Sequence, residues 1–210
     1  MLRLASRFFH FPRPVMTTGF QSLCVFCGSQ SGTHPAYLES ARATGRLLAE
    51  RGIRLIYGGG SAGMMGAVAD ACLGAGGEVI GVIPAFLKDL ELGHRGVTKL
   101  EVVSTMLERK QRMADLSDAF ITLPGGIGTL DELFEILTWI RLAVHKKPSG
   151  LLNVEGFYDE LISFCGKTQV EGGFISARDA ANLVADESIT TLLEKLEEAA
   201  RSGPSSHYLS

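Results

Sequence analysis

From residue 22 onward, short apolar runs of the β type alternate with helical patterns along almost the whole chain. The runs fall at 23–27, 53–57, 79–83, 100–103, 119–123 and 149–154, with a last short one near 182–184. Helical spacing occupies 35–50, 63–73, 105–116, 129–144, 157–167 and 189–201. The apolar runs are near-continuous Val, Ile and Leu, as strands buried on both faces require. Alternation of this kind builds a parallel sheet with helices on both faces. The prediction is therefore one α/β domain, a Rossmann-like doubly wound parallel sheet, over residues 21–203. A basic N-terminal extension (1–20) precedes it and a polar tail (204–210) follows.

In such sheets ligands bind beyond the carboxyl ends of the strands, at the switch point of the winding. Composition matters here: 25 of the 210 residues are Gly, against about 7% in average proteins. With no G-X-Y period and only 7 Pro, the surplus belongs in particular loops. After the second run comes Gly58-Gly59-Gly60-Ser61-Ala62-Gly63-Met64-Met65-Gly66, opening a helix. Backbone amides and a helix start together favour an anion. No Gly-Lys-Ser/Thr follows, so this is not a Walker A loop. Gly58, Gly60 and Gly63 satisfy G-x-G-x-x-G, but the ribose-binding acid of a dinucleotide site is missing: Glu78 precedes the next strand instead of ending it. A mononucleotide or sugar phosphate fits better than NAD or FAD. Close helix–strand packing is the alternative use for these glycines.

After the fifth run comes Pro124-Gly125-Gly126-Ile127-Gly128-Thr129-Leu130-Asp131-Glu132. Thr129 and Glu132 spell a capping box, with Thr129 as N-cap and Glu132 reaching back to it. The same Glu132, with Asp131 and Glu135, crowds the first turns of a helix at the ligand edge, so a catalytic reading stays open beside the capping one. Arg109 and Lys110 lie near the start of the helix after the fourth run, where a basic pair can clamp phosphate; a solvated helix face is the plainer reading. The loop after the first run, with Gly28 and Ser29, is small and hydroxylated but is a weak signal alone.

Other classes are disfavoured. The net charge is −3, with no basic stripe, which argues against electrostatic nucleic-acid binding. No run of 18 apolar residues occurs, so no membrane span is predicted. Cys24 and Cys27 form a C-x-x-C inside an apolar run with no second pair, which reads as reduced core cysteine instead of zinc or thioredoxin chemistry. His10, His34, His94, His145 and His207 show no ligand spacing. Residues 1–38 hold Arg3, Arg7 and Arg13 and no acid; Glu39 is the first. That leader reads as an extension ahead of a start at Met16, with a cytoplasmic protein, or alternatively as a mitochondrial or other organellar transit peptide.

Taken together, these motifs resemble the LOG family, the cytokinin riboside 5′-monophosphate phosphoribohydrolases. The likeness runs from about Leu23 to Ile175. It rests on P-G-G-x-G-T-x-x-E at 124–132, Arg109-Lys110, the glycine loop at 58–66, Gly77 to Pro84, Thr138-Trp139 and Lys147-Pro148. Many relatives carry a "lysine decarboxylase" label, which nothing in this sequence supports. The resemblance implies hydrolysis of an N6-modified AMP, with no cofactor or metal, by a homodimer. It implies Arg109 and Glu132 as the catalytic pair. Substrate contacts would come from Glu91, Lys110, Gly126, Ile127, Gly128, Thr129, Leu130, Asp131 and Thr138. The residue reading adds Gly28, Ser29, Gly58, Gly59, Gly60, Gly63, Met64 and Gly125. Rival readings are a broader AMP nucleosidase and a molybdenum cofactor carrier without turnover. Trp139, Phe134 and Leu137 read as core or subunit interface.

Overall fold

A computed structural model describes residues 19–88 and 93–203. Residues 1–18 of the 1–20 extension, the tail over 204–210 and Glu91 lie outside the described residues; Phe20, from the extension, is packed in the core.

Seven parallel strands form one sheet in the order β4-β3-β2-β1-β5-β6-β7. They are β1 (Ser22–Phe26), β2 (Arg54–Tyr57), β3 (Val79–Pro84), β4 (Lys99–Val103), β5 (Ala119–Thr122), β6 (Ser149–Leu152) and β7 (Leu183–Asp186). The main helices are α1 (Pro35–Glu50), α2 (Gly63–Gly74), α4 (Met106–Asp115), α5 (Ile127–Arg141) and α9 (Ile189–Ser202). Short helices α3 (Ala85–Lys88), α6 (Asp159–Ser163), α7 (Gln169–Glu171) and α8 (Ala177–Ala180) lie in the connections.

The strand residues sort by period two into two cores. Leu23, Val25, Leu55, Tyr57, Ala119 and Ile121 face α1, α2 and α9, whose Leu48, Val68 and Leu192 meet them. Cys24, Phe26, Ile56, Ile80 and Phe120 face α4 and α5 through Met113, Ile136 and Ile140. Each fully buried large apolar side chain contributes about 1.5–3 kcal/mol relative to exposure. This is the doubly wound domain that the near-continuous apolar runs predict. The close approach of α1 to α2 depends on Gly45, where a Cβ would strike the Val68 carbonyl.

Two local expectations fail. The helix expected over 157–167 is broken into α6, a π-turn over Phe164–Thr168 and α7. Its apolar positions Leu161 and Ile162 pack on a small third cluster with Leu133, Leu151 and Tyr158, while Phe164 stays half exposed. The capping box at Thr129 also fails. Helix α5 starts two residues earlier, at Ile127, with Gly126 as an extended N-cap that makes no side-chain cap bond. Thr129 is instead buried inside the first turn.

The winding starts at β1 in the middle, runs out to β4, and returns to β5 on the other side of β1. The switch point thus lies between β1 and β5. Their ends are stitched together there: Leu123 N donates to Phe26 O at 2.9 Å, and Gly28 N to Pro124 O at 3.1 Å.

Candidate active site

The site is built from two helix starts at this switch point. Helix α4 is pinned by its N-cap: Thr105 Oγ1 accepts from Glu108 N at 3.0 Å, and Glu108 Oε2 accepts from Ser104 N at 2.8 Å. Three residues into the helix, Arg109 turns inward and is 6% exposed. Its Nε donates to Val82 O at 3.1 Å and its Nη2 to Gly58 O at 3.0 Å. Both acceptors are backbone carbonyls, one within β3 and one just after β2, so sheet and helix together aim the guanidinium.

Glu132 lies on the second turn of α5 and is 8% exposed. Its Oε1 stands 3.7 Å from Arg109 Nη1. That is longer than a hydrogen bond and close enough for strong attraction in a low-dielectric site. The pair faces a cavity of about 240 Å³ lined by Cys27, Gly28, Ser29, Gly58, Met65, Met106, Gly126, Ile127, Gly128 and Thr129, with Val25 at its base. Burial pushes the Cys27 thiol well above its ordinary range and the Glu132 carboxylate adds to this, with Arg109 opposing. Cys27 is therefore a protonated wall and no nucleophile.

Another part of the lining is the start of α5. Leu130 N is the first amide to bond back within the helix, to Gly126 O at 3.1 Å. The amides at 127–129 have no intrahelical acceptor, and they carry the positive end of the helix dipole. A Cβ at Gly126 or Gly128 would meet nothing within 4 Å, so the approach is open. Behind the loop, Tyr158 Oη donates to Leu123 O at 2.8 Å and anchors it. Charge, exposed amides and an enclosed floor suit a phosphorylated ligand with a reacting centre beside Arg109 and Glu132.

Several expected contacts lie elsewhere. Met64 N and Met65 N both donate to Gly28 O, at 3.1 and 3.3 Å. The start of α2 is thereby spent on backbone instead of a ligand. The Met64 side chain is core. Gly63 holds φ +58° against the Ser29 backbone, and Gly59 holds φ +79° against Ile83 and Leu100. These three are packing residues, and Gly60 is buried beside them. Gly125 packs on Thr129 and Gly28, and Leu130 packs on the third cluster. Lys110 Nζ is taken by Glu135 Oε2 at 2.6 Å and Asp131 Oδ2 at 3.0 Å. Burial opposes the Lys110 charge, but Glu135 and then Asp131 outweigh it and raise its pKa. Thr138 lines a separate apolar pocket with Phe134, Leu137 and Arg141. Met106, Met65 and Cys27 line the cavity unforeseen; of these, only Met106 carried a usable signal, its i, i+3 spacing from Arg109.

Among the described residues no group of three His, Cys, Asp or Glu could hold a metal ion. None of their helices is long and apolar enough to cross a membrane. All four cysteines are free and buried.

Comparison with known proteins follows the same lines. The family pattern described as "Possible lysine decarboxylase" matches residues 65–196. A cytokinin riboside 5′-monophosphate phosphoribohydrolase of Arabidopsis thaliana is 48% identical over 179 residues, covering 85% of this chain and 84% of the relative. One from Oryza sativa subsp. japonica is 48% identical over 179 residues, covering 85% and 74%. Among solved structures, a molybdenum cofactor binding protein from Rippkaea orientalis superposes with a TM-score of 0.65 at 22% identity, over 84% of this chain and 95% of that one. The molybdenum cofactor carrier protein of Chlamydomonas reinhardtii gives 0.65 at 20% identity, over 86% and 98%. At such identities the structural likeness speaks to the fold alone.

Proposed function

Because the chain belongs to the LOG family of cytokinin riboside 5′-monophosphate phosphoribohydrolases, we propose that it hydrolyses the N-glycosidic bond of N6-substituted AMP, releasing the free base and ribose 5-phosphate. The observation that carries this reading is the buried Arg109–Glu132 pair, 3.7 Å apart, facing a cavity lined also by an open helix start.

Breaking the C1′–N9 bond builds positive charge on the ribose and negative charge on the departing base. Glu132 lowers the energy of the first and takes the proton of the attacking water as its oxygen bonds to C1′; that proton then passes to the ring nitrogen freed from C1′, so the base leaves neutral and the carboxylate is restored. The Arg109 guanidinium stabilises and orients the second. The amides of residues 127–129, with Ser29 at the mouth, hold the 5′-phosphate. Lys110 tied to Asp131 and Glu135 acts as a brace between α4 and α5. Thr138, remote from the cavity of its own chain, supports a homodimer in which a second copy brings an apolar face to the site. Four free, buried cysteines suit a reducing compartment, and we place the enzyme in the cytoplasm.

The test is to incubate the protein with isopentenyl-AMP, AMP and the matching ribosides and follow base release. Release from isopentenyl-AMP and not from the riboside supports the reading. Equal turnover of AMP would widen the substrate class, and no release from any nucleotide would overturn it. Sedimentation of the purified chain checks the dimer.

A further inference from the structure

Arg109 is held along one edge. Nε and Nη2 are committed to Val82 O and Gly58 O. Nη1 is the atom that meets the cavity side, where it lies 3.7 Å from Glu132 Oε1 and 3.9 Å from Met106 Sδ. Met106 is the first residue of α4, three before Arg109 and on the same helix face. Its backbone is fixed by the Thr105 cap, and its side chain lines the cavity. Met64, Met65 and Met113 are 2%, 6% and 0% exposed, whereas Met106 is only half buried. Nothing in the sequence motifs assigns it a role.

A thioether at this place has a definite physical effect. It is a weak, uncharged, polarisable acceptor. It can orient an N–H without neutralising the guanidinium, which a carboxylate would do. Remove the acceptor and one attraction remains for Nη1, toward Glu132. In a buried site that attraction is strong, so the guanidinium would close onto the carboxylate. Both charges would then be spent on each other and not on a ligand between them.

We propose that Met106 is a positioning residue: its sulfur holds the Nη1 edge of Arg109 toward the cavity and keeps the Arg109–Glu132 pair open. The proposal rests on the reading of that pair as the reacting groups.

The experiment compares wild type, Met106→Leu and Met106→Gln. Leucine keeps the volume and removes the acceptor; glutamine restores an acceptor of similar reach. Two readouts are taken. The first is steady-state base release from isopentenyl-AMP. The second is the nitrogen–proton spectrum of the Arg109 guanidinium in labelled protein, assigned with Arg109→Lys. In Met106→Leu, kcat should fall about three- to tenfold with KM unchanged, and Met106→Gln should recover most of the loss. The Arg109 Nη1 proton signals, distinct in wild type and Met106→Gln, should broaden or merge in Met106→Leu. Unchanged kcat, a raised KM at constant kcat, failure of glutamine to rescue, or unaltered Arg109 signals would each overturn the proposal. If wild type releases no base from any nucleotide, the hydrolase reading fails by itself, and the guanidinium spectra still decide the role of Met106.

Discussion

Two glycine-rich loops follow strands at the same edge of the sheet, and each opens a helix. The loop over 58–66 has turned inward. The first amides of α2 donate to Gly28 O, Gly59 and Gly63 are held at positive φ, and a Cβ at Gly66 would overlap the Ser61 carbonyl. The loop over 124–128 faces outward: Gly126 and Gly128 have open space at the Cβ position. Glycine content is therefore a poor guide to ligand contact. The informative quantity is whether the amides that glycine exposes have already found an acceptor in the protein.

The comparison can be broken or sharpened by substitution. The largest effect is expected at the open loop's own helix. Glu132→Gln should lower turnover by about 10²–10⁴ while circular dichroism and melting stay near wild type; unimpaired turnover would remove Glu132 from the chemistry. Next comes the closed loop. Gly66→Ala inserts a methyl against fixed backbone and should cost about 1–3 kcal/mol of stability in denaturant titration. The same change in the open loop should run the other way. Gly128→Ala should stabilise by about 0.5–1 kcal/mol, since alanine suits a helix better than glycine, and should raise KM for the nucleotide. If both alanines destabilise equally, the contrast between the loops is wrong.

A pH-dependent effect lies past the far end of α5, away from either loop. Burial, with Lys147 nearby, lowers the pKa of His145 to about 4, against about 6.5 for an unperturbed histidine. The unfolded chain therefore binds a proton there that the folded chain refuses between those values. Stability from this group is full above pH 6.5 and declines as pH falls toward 4. His145→Phe should flatten that part of the melting profile; an unchanged slope would point to other groups.

Much of this was legible in the chain. Near-continuous apolar runs imply strands buried on both sides, and the two cores at Leu23–Val25 and Cys24–Phe26 are the result. Cys24 and Cys27 read correctly as free core thiols because their run is apolar throughout. The Thr129 capping box did not survive, because glycine at 126 can cap a helix with backbone alone and so lets α5 begin earlier. The π-turn over Phe164–Thr168 holds a single glycine, Gly166, and one glycine inside a helical pattern is too often tolerated to announce a break.

The sequence by itself determined the layers of this protein, since hydrophobic period is a local property that each segment carries alone. It also put Arg109 and Glu132 near two helix starts. Only the tertiary structure decided that these two meet, because α4 follows an edge strand and α5 a central one, and their approach depends on the winding reversing at β1. Only the tertiary structure decided which glycine loop stayed open. That choice turned on one carbonyl, at Gly28, whose reach toward the amides of Met64 and Met65 is set by folding distance and by nothing written in either loop.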